Sequence, residues 1–96
     1  MRIYITAILK ANALYRDEVL ATLQHMVEES RKEAACIQYD LHHTINDENQ
    51  FIFYEIWESR AGLDNHNQQP YILAFARMAE EKLQETPQIY HMERIA

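Results

Sequence analysis

Apolar residues recur every second position at the start of the chain, with Ile3, Ile5, Ala7 and Leu9 on one side of the run and Tyr4, Thr6 and Ile8 on the other. Period-two spacing predicts a strand over Arg2 to Lys10, and two apolar sides predict that both faces are covered. From Ala13 to Lys32 the period changes. Val19, Leu23, Met26 and Val27 recur at helical spacing while Arg16, Asp17, Glu18, Glu28 and Glu29 fall mostly outside the stripe, which predicts an amphipathic helix of about five turns. Alternation returns over Cys36 to His43 and Phe51 to Glu58. The intervening TINDENQ carries the Asn and Asp residues that suit a hairpin loop.

Ser59 is placed to cap a short helix over Arg60 to Asn67, and Pro70 to open a further one whose stripe is Ile72, Phe75, Ala76, Ala79 and Leu83. Pro87 closes that region, and QIYHMERI supplies a fourth strand. The order β-α-β-β-α-β predicts a ferredoxin-like α+β fold, an antiparallel sheet with helices on one face. The second apolar face of the first strand then needs a cover. In a chain of 96 residues, read as a single domain, a second copy is the natural source, so a homodimer is expected.

Composition narrows the chemistry. A formal net charge of −6 argues against nucleic acid and acidic membrane surfaces as partners. No segment approaches the length of an apolar membrane span, and the opening residues read as a strand rather than a secretory signal, so the expected location is the cytoplasm. The single glycine, Gly62, leaves no room for the usual nucleotide-binding loops. The lone Cys36 is expected to pack rather than react.

One residue breaks the hydrophobic pattern. Glu55 shares a strand face with Phe51, Phe53 and Trp57, and an ionised carboxylate buried without a partner is costly. In the short helix that follows, His66 shares a side with Leu63 and is expected to turn inward. Ser30 continues the inner stripe of the first helix and leaves space there. Glu55, His66 and Ser30 are thus expected to converge in an apolar pocket walled by Phe53, Trp57 and Tyr39, the usual form of a small-molecule site. A hydrogen-bonded Glu55–His66 pair that only ties helix to strand is the structural alternative. His42 and His43 point to opposite faces of a strand, so no metal is expected there. His25 and His91 receive no role.

The run CIQYDLHHTINDENQFIFYEIWESRAGLDNHNQQPYILAF resembles the antibiotic biosynthesis monooxygenase family. Its most specific element is Y-E-x-W-x-S at Tyr54 to Ser59, followed by a histidine eleven positions after the glutamate, at His66. The resemblance implies a dimeric α+β barrel whose subunits each hold a pocket between sheet and helices. It also implies oxidation of quinol- or anthrone-like substrates by dioxygen without flavin, metal or haem. Glu55, Trp57 and His66 match the motif as pocket residues; Ser30 matches more loosely. Two positions depart from it: Tyr71 stands where many relatives have histidine, its phenol being expected to replace that contact with substrate, and Ala35 stands where many have glycine. No histidine lies between Tyr71 and Leu83, so the haem ligation of one family branch is not expected.

Oxygenation without a cofactor needs a substrate anion, so a base is required. The expectation is His66 as base with Glu55 as its partner, the reverse assignment remaining open because burial can raise a glutamate's pKa. Two other functions share this pocket. One is isomerisation of a small hydroxyketone, as in the autoinducer-2 phosphate isomerase of the same family; the other is a non-catalytic small-molecule-binding dimer.

Overall fold

A computed structural model describes all 96 residues. Strand β1 spans Ile3–Lys10, helix α1 Arg16–Ser30, strands β2 and β3 Cys36–Thr44 and Asp47–Trp57, helices α2 and α3 Arg60–His66 and Pro70–Lys82, and strand β4 Gln88–Met92. The sheet order is β2-β3-β1-β4 with every neighbouring pair antiparallel. This is the ferredoxin-like α+β arrangement predicted from the periodicities. No helix is long and apolar enough to cross a membrane.

Local signals account for the element ends. Asn12 caps a single 3-10 turn, Ala13–Tyr15, by accepting from Leu14 N at 3.0 Å, and α1 starts only after it. The helix predicted from Ala13 therefore divides in two, because the Asn12 cap tightens its first turn. Ser59 caps α2 as predicted, its hydroxyl accepting from Gly62 N at 3.1 Å, and Pro70 opens α3. The loop predicted over Thr44 to Gln50 is much shorter than expected. The β3 ladder runs down to Asp47 and leaves only Ile45 and Asn46 in the turn. Polar residues extend the hairpin because they bond across it, Gln50 Nε2 to Thr44 Oγ1 at 2.9 Å, with a register shift beside Thr44.

The inner face of the sheet carries Ile3, Ile5, Ala7 and Leu9 of β1, and Phe51, Phe53 and Trp57 of β3, packed against Val19, Leu23 and Met26 of α1. Burial of each large side chain contributes about 1.5–3 kcal/mol. The other face presents Tyr4, Ile8, Ile52, Tyr54 and Ile56, all half-buried. The stripe expected of helix α3 packs on the core at Ile72, Phe75 and Ala79, which are half-buried, and continues into buried Leu83 just beyond the helix, whereas Ala76 is exposed.

Gly62 fixes how α2 meets the turn between α1 and β2. A Cβ there would lie well inside van der Waals contact of the Ala35 Cβ, and Ala35 cannot swing away because its carbonyl accepts from Glu58 N at 2.9 Å. Gly62→Ala is expected to cost roughly 1–3 kcal/mol by overpacking, as measured by urea unfolding. Adding Ala35→Gly should recover most of the loss. The double variant failing to recover would mean that the backbone, not this contact, limits the approach.

Candidate active site

The close approach at Gly62 places α2 against the segment after α1, and His66 follows Gly62 on the same helix face. Its imidazole meets Glu33, a residue of that turn. His66 Nδ1 lies 2.7 Å from Glu33 Oε2. The phenol of Tyr71 donates to the same oxygen, and the Ser30 hydroxyl is 3.2 Å from the Tyr71 oxygen. Because the Tyr71 proton is committed to Glu33, Ser30 donates to Tyr71, and the four side chains form one directed chain ending on a carboxylate. The second Glu33 oxygen, Oε1, is buried with no partner.

This geometry corrects the expected Glu55–His66 pair. The group bonded to His66 is Glu33, and Glu55 bonds Trp57, whose indole Nε1 donates to Glu55 Oε1 at 2.8 Å. The physical reason is register. Glu55 and Trp57 are two apart on one strand face, within side-chain reach, while the turn at Glu33 approaches the open side of the imidazole. Trp57 joins the two systems, since its ring stacks at 4.3 Å between centroids and 39° on the His66 ring.

Glu55, 6% exposed, and His66, 3% exposed, line a cavity of about 120 Å³. Its apolar wall includes Ile5, Phe53, Ile72 and Phe75, and its polar positions include Tyr39, Asn67 and His91. The lining contains no Lys or Arg. Of the residues predicted for the site, Glu55, His66, Phe53 and Tyr39 therefore face one space. Trp57, Ser30 and Tyr71 do not line it. Trp57 is wholly buried behind Glu55 and His66, and Ser30 and Tyr71 stand behind Glu33; the expected substrate contacts of these three are replaced by support of the groups in front.

Two residues escaped the sequence reading. Glu33 lies in SRKEAAC, where neighbouring charges resemble a solvated turn. His91 pairs opposite Ile5 in the sheet register and so turns to the cavity side. For Glu33 the only available hint was its place three residues beyond the buried stripe that ends at Ser30. For His91 no hint existed without the register of β4.

The electrostatics follow from burial. Burial pushes the Glu55 carboxyl up to about 7, partly opposed by the Trp57 N–H bond and aided by the Glu33 charge. Burial also lowers the His66 pKa, partly opposed by the hydrogen bond to Glu33. At neutral pH the imidazole is therefore predominantly neutral. With its proton on Nδ1, facing Glu33, the Nε2 lone pair has no bond within the chain and is left for the cavity. Burial raises the phenols of Tyr39 and Tyr71, which stay protonated. Cys36 is pushed up to about 11, again chiefly by burial, and as a neutral thiol it has the packing character expected. The arrangement joins a neutral base, a partly protonated carboxyl and apolar walls, and it can move protons on a small uncharged molecule.

Fold and cavity together define a small ferredoxin-like protein with an apolar cavity lined by Glu55 and His66. The model of the family described as antibiotic biosynthesis monooxygenase matches residues 2–78, and the chain belongs to that family. It is 32% identical over 81 residues to the Bacillus subtilis protein named Putative monooxygenase YcnE, covering 84% of this chain and 85% of that one. It is 35% identical over 74 residues to the Synechocystis protein sll1783, covering 77% of this chain but only 50% of that longer one. Among solved structures, PA3566 of Pseudomonas aeruginosa superposes with a TM-score of 0.92 at 32% identity, covering 99% and 95% of the two chains. Rv0793 of Mycobacterium tuberculosis gives 0.94 at 22% identity, covering 100% and 97%, a likeness of fold.

Proposed function

We propose that the chain is a cofactor-independent monooxygenase of small hydroxyarenes, and the observation that carries this reading is the His66–Glu33 pair with its free Nε2 directed to an apolar cavity. In this mechanism Nε2 takes the proton of a substrate hydroxyl. Glu33 holds the imidazole in the competent tautomer and stabilises the imidazolium that forms. The electron-rich anion then reduces dioxygen, and recombination at a ring carbon gives a hydroperoxide. Loss of water leaves a carbonyl, so a hydroquinone plus dioxygen gives a hydroxyquinone plus water, one oxygen atom in each product. Glu55, with a pKa of about 7, is the donor of the proton that leaves with water.

Lack of Lys and Arg in the lining favours an uncharged substrate over a phosphorylated hydroxyketone, which supports oxygenation above isomerisation. The test is oxygen uptake by metal-free protein over a panel of hydroquinones, with His66→Ala as control. Uptake matched to product and lost in the control supports the reading. Turnover of a hydroxyketone without oxygen would replace it with isomerisation, and ligand binding without turnover would leave a binding module.

The working unit is proposed to be a homodimer that joins the two outer sheet faces. Tyr4, Ile8, Ile52, Tyr54 and Ile56 form a contiguous, only half-buried surface on one side of the sheet, the kind of apolar face that a second copy would cover. Ile56→Glu is expected to shift the species seen by sedimentation from dimer to monomer. An unchanged dimer would move the interface elsewhere.

A further inference from the structure

Resting on the reading of the cavity as a substrate site, we infer that the substrate is a single hydroxylated ring bearing a neutral hydrocarbon chain, with the ring beside His66 and the chain in the groove between α3 and the segment leading into β4. The inner cavity, at about 120 Å³, is slightly smaller than the cavity of about 150 Å³ that admits a benzene molecule in another protein, so it holds no more than one ring and a substituent has to extend beyond it. Ile72, Phe75, Pro87 and Ile89 line both this cavity and a second, larger space of about 620 Å³. The two spaces therefore adjoin at four apolar side chains, and a substituent longer than the ring would pass between these side chains to reach the second space.

The groove beyond the junction favours hydrocarbon. Its floor includes Ala76, Ala79 and Leu83, and the small side chains of the two alanines leave the width of a chain along α3. This also accounts for the exposure of Ala76 on that helix, whose apolar stripe is not fully buried by the protein itself. Its charged lining residues are Glu80 and Glu85, with no Lys or Arg, so a chain ending in carboxylate or phosphate meets repulsion. The groove lies on the helical side of the sheet, opposite the outer face assigned to the second copy.

The test is titration calorimetry without oxygen, using hydroquinone and its 2-alkyl derivatives from methyl to hexyl. Each methylene that enters the groove should tighten Kd by roughly threefold to fourfold. Ala76→Trp, at an exposed helix position, should weaken the hexyl derivative at least tenfold more than it weakens hydroquinone itself. Ala79→Leu provides a second, smaller obstruction with the same expected order. A Kd independent of chain length would overturn the inference, as would equal loss for short and long ligands. Equal binding of a chain ending in carboxylate, or tighter binding of a fused tricyclic hydroquinone of matched carbon count, would also overturn it. Because binding is read without oxygen, chain-dependent Kd with no oxygen uptake keeps the inference and removes the oxygenase reading. Oxygen uptake with a flat chain-length series does the reverse.

Discussion

His66→Ala is expected to lower oxygen-dependent turnover by roughly two to four orders of magnitude, the range that a positioned general base contributes. Geometry sets this effect before electrostatics does. Only one imidazole nitrogen is free for a substrate, because Nδ1 is taken by Glu33 at 2.7 Å, and removing the ring removes the proton acceptor at that point. Added imidazole should restore part of the lost rate, since the variant leaves a ring-sized space beside Trp57 and Glu33. Glu33→Gln gives a different signature. The amide can still accept from one neighbour but has no charge to stabilise an imidazolium, so kcat falls while the ring stays in place. The Glu33 bond also raises the His66 pKa against the effect of burial, and its loss lets that pKa fall further. The acid limb of the rate profile should therefore move to lower pH as the plateau drops. Rates for His66→Ala within a few-fold of the parent, in a folded protein, would exclude His66 as the base.

The order of elements was legible because each rested on a local rule: alternation in β1 and β3, the helical stripe of α1, the Ser59 cap and Pro70. Glu55 was found for a similar reason, as a charge in a strand of aromatics, which marks a site whatever its partner. The partner was not legible. Strand period tells which face Glu55 occupies but not which of Trp57, His66 or Glu33 comes within bonding distance, since that depends on how closely α2 approaches the turn after α1. The approach is set by one contact, Gly62 against Ala35, between residues far apart in the chain. Glu33 was hidden by a second feature. In SRKEAAC its charge has neighbours of opposite sign, so the pattern reads as solvent-facing, and only the tertiary fold turns that one side chain inward while Lys32 pairs outward with Glu29 at 2.6 Å.

Glu55→Gln should change the pH dependence of stability more than its magnitude at acid pH. The carboxyl titrates at about 7 in the folded chain against 4.5 for the free group, so between those values the folded state holds the extra proton. The Glu55 contribution is therefore fully present below the unfolded value and is lost as pH rises through about 7, a change on the order of 3 kcal/mol. His66 works in the opposite sense. Burial lowers its pKa, so its contribution is present above the unfolded value near 6.5 and is lost as pH falls through the folded one. The two contributions oppose each other over the range in which both groups titrate. Glutamine keeps an oxygen for the Trp57 N–H and carries no charge to bury, so the variant should lose the decline between about pH 4.5 and 7 and retain the His66 dependence. Urea unfolding at intervals from about pH 5 to 8 reads this directly. Parallel curves for the two proteins would mean that Glu55 ionises at its ordinary value, and a carboxylate already charged at neutral pH has no proton to give to the departing oxygen. Curves that separate progressively as pH rises from about 4.5 to about 7 would instead tie the cost of burying Glu55 to its proposed role, because the desolvation that destabilises its anion is what keeps a proton on it for the reaction.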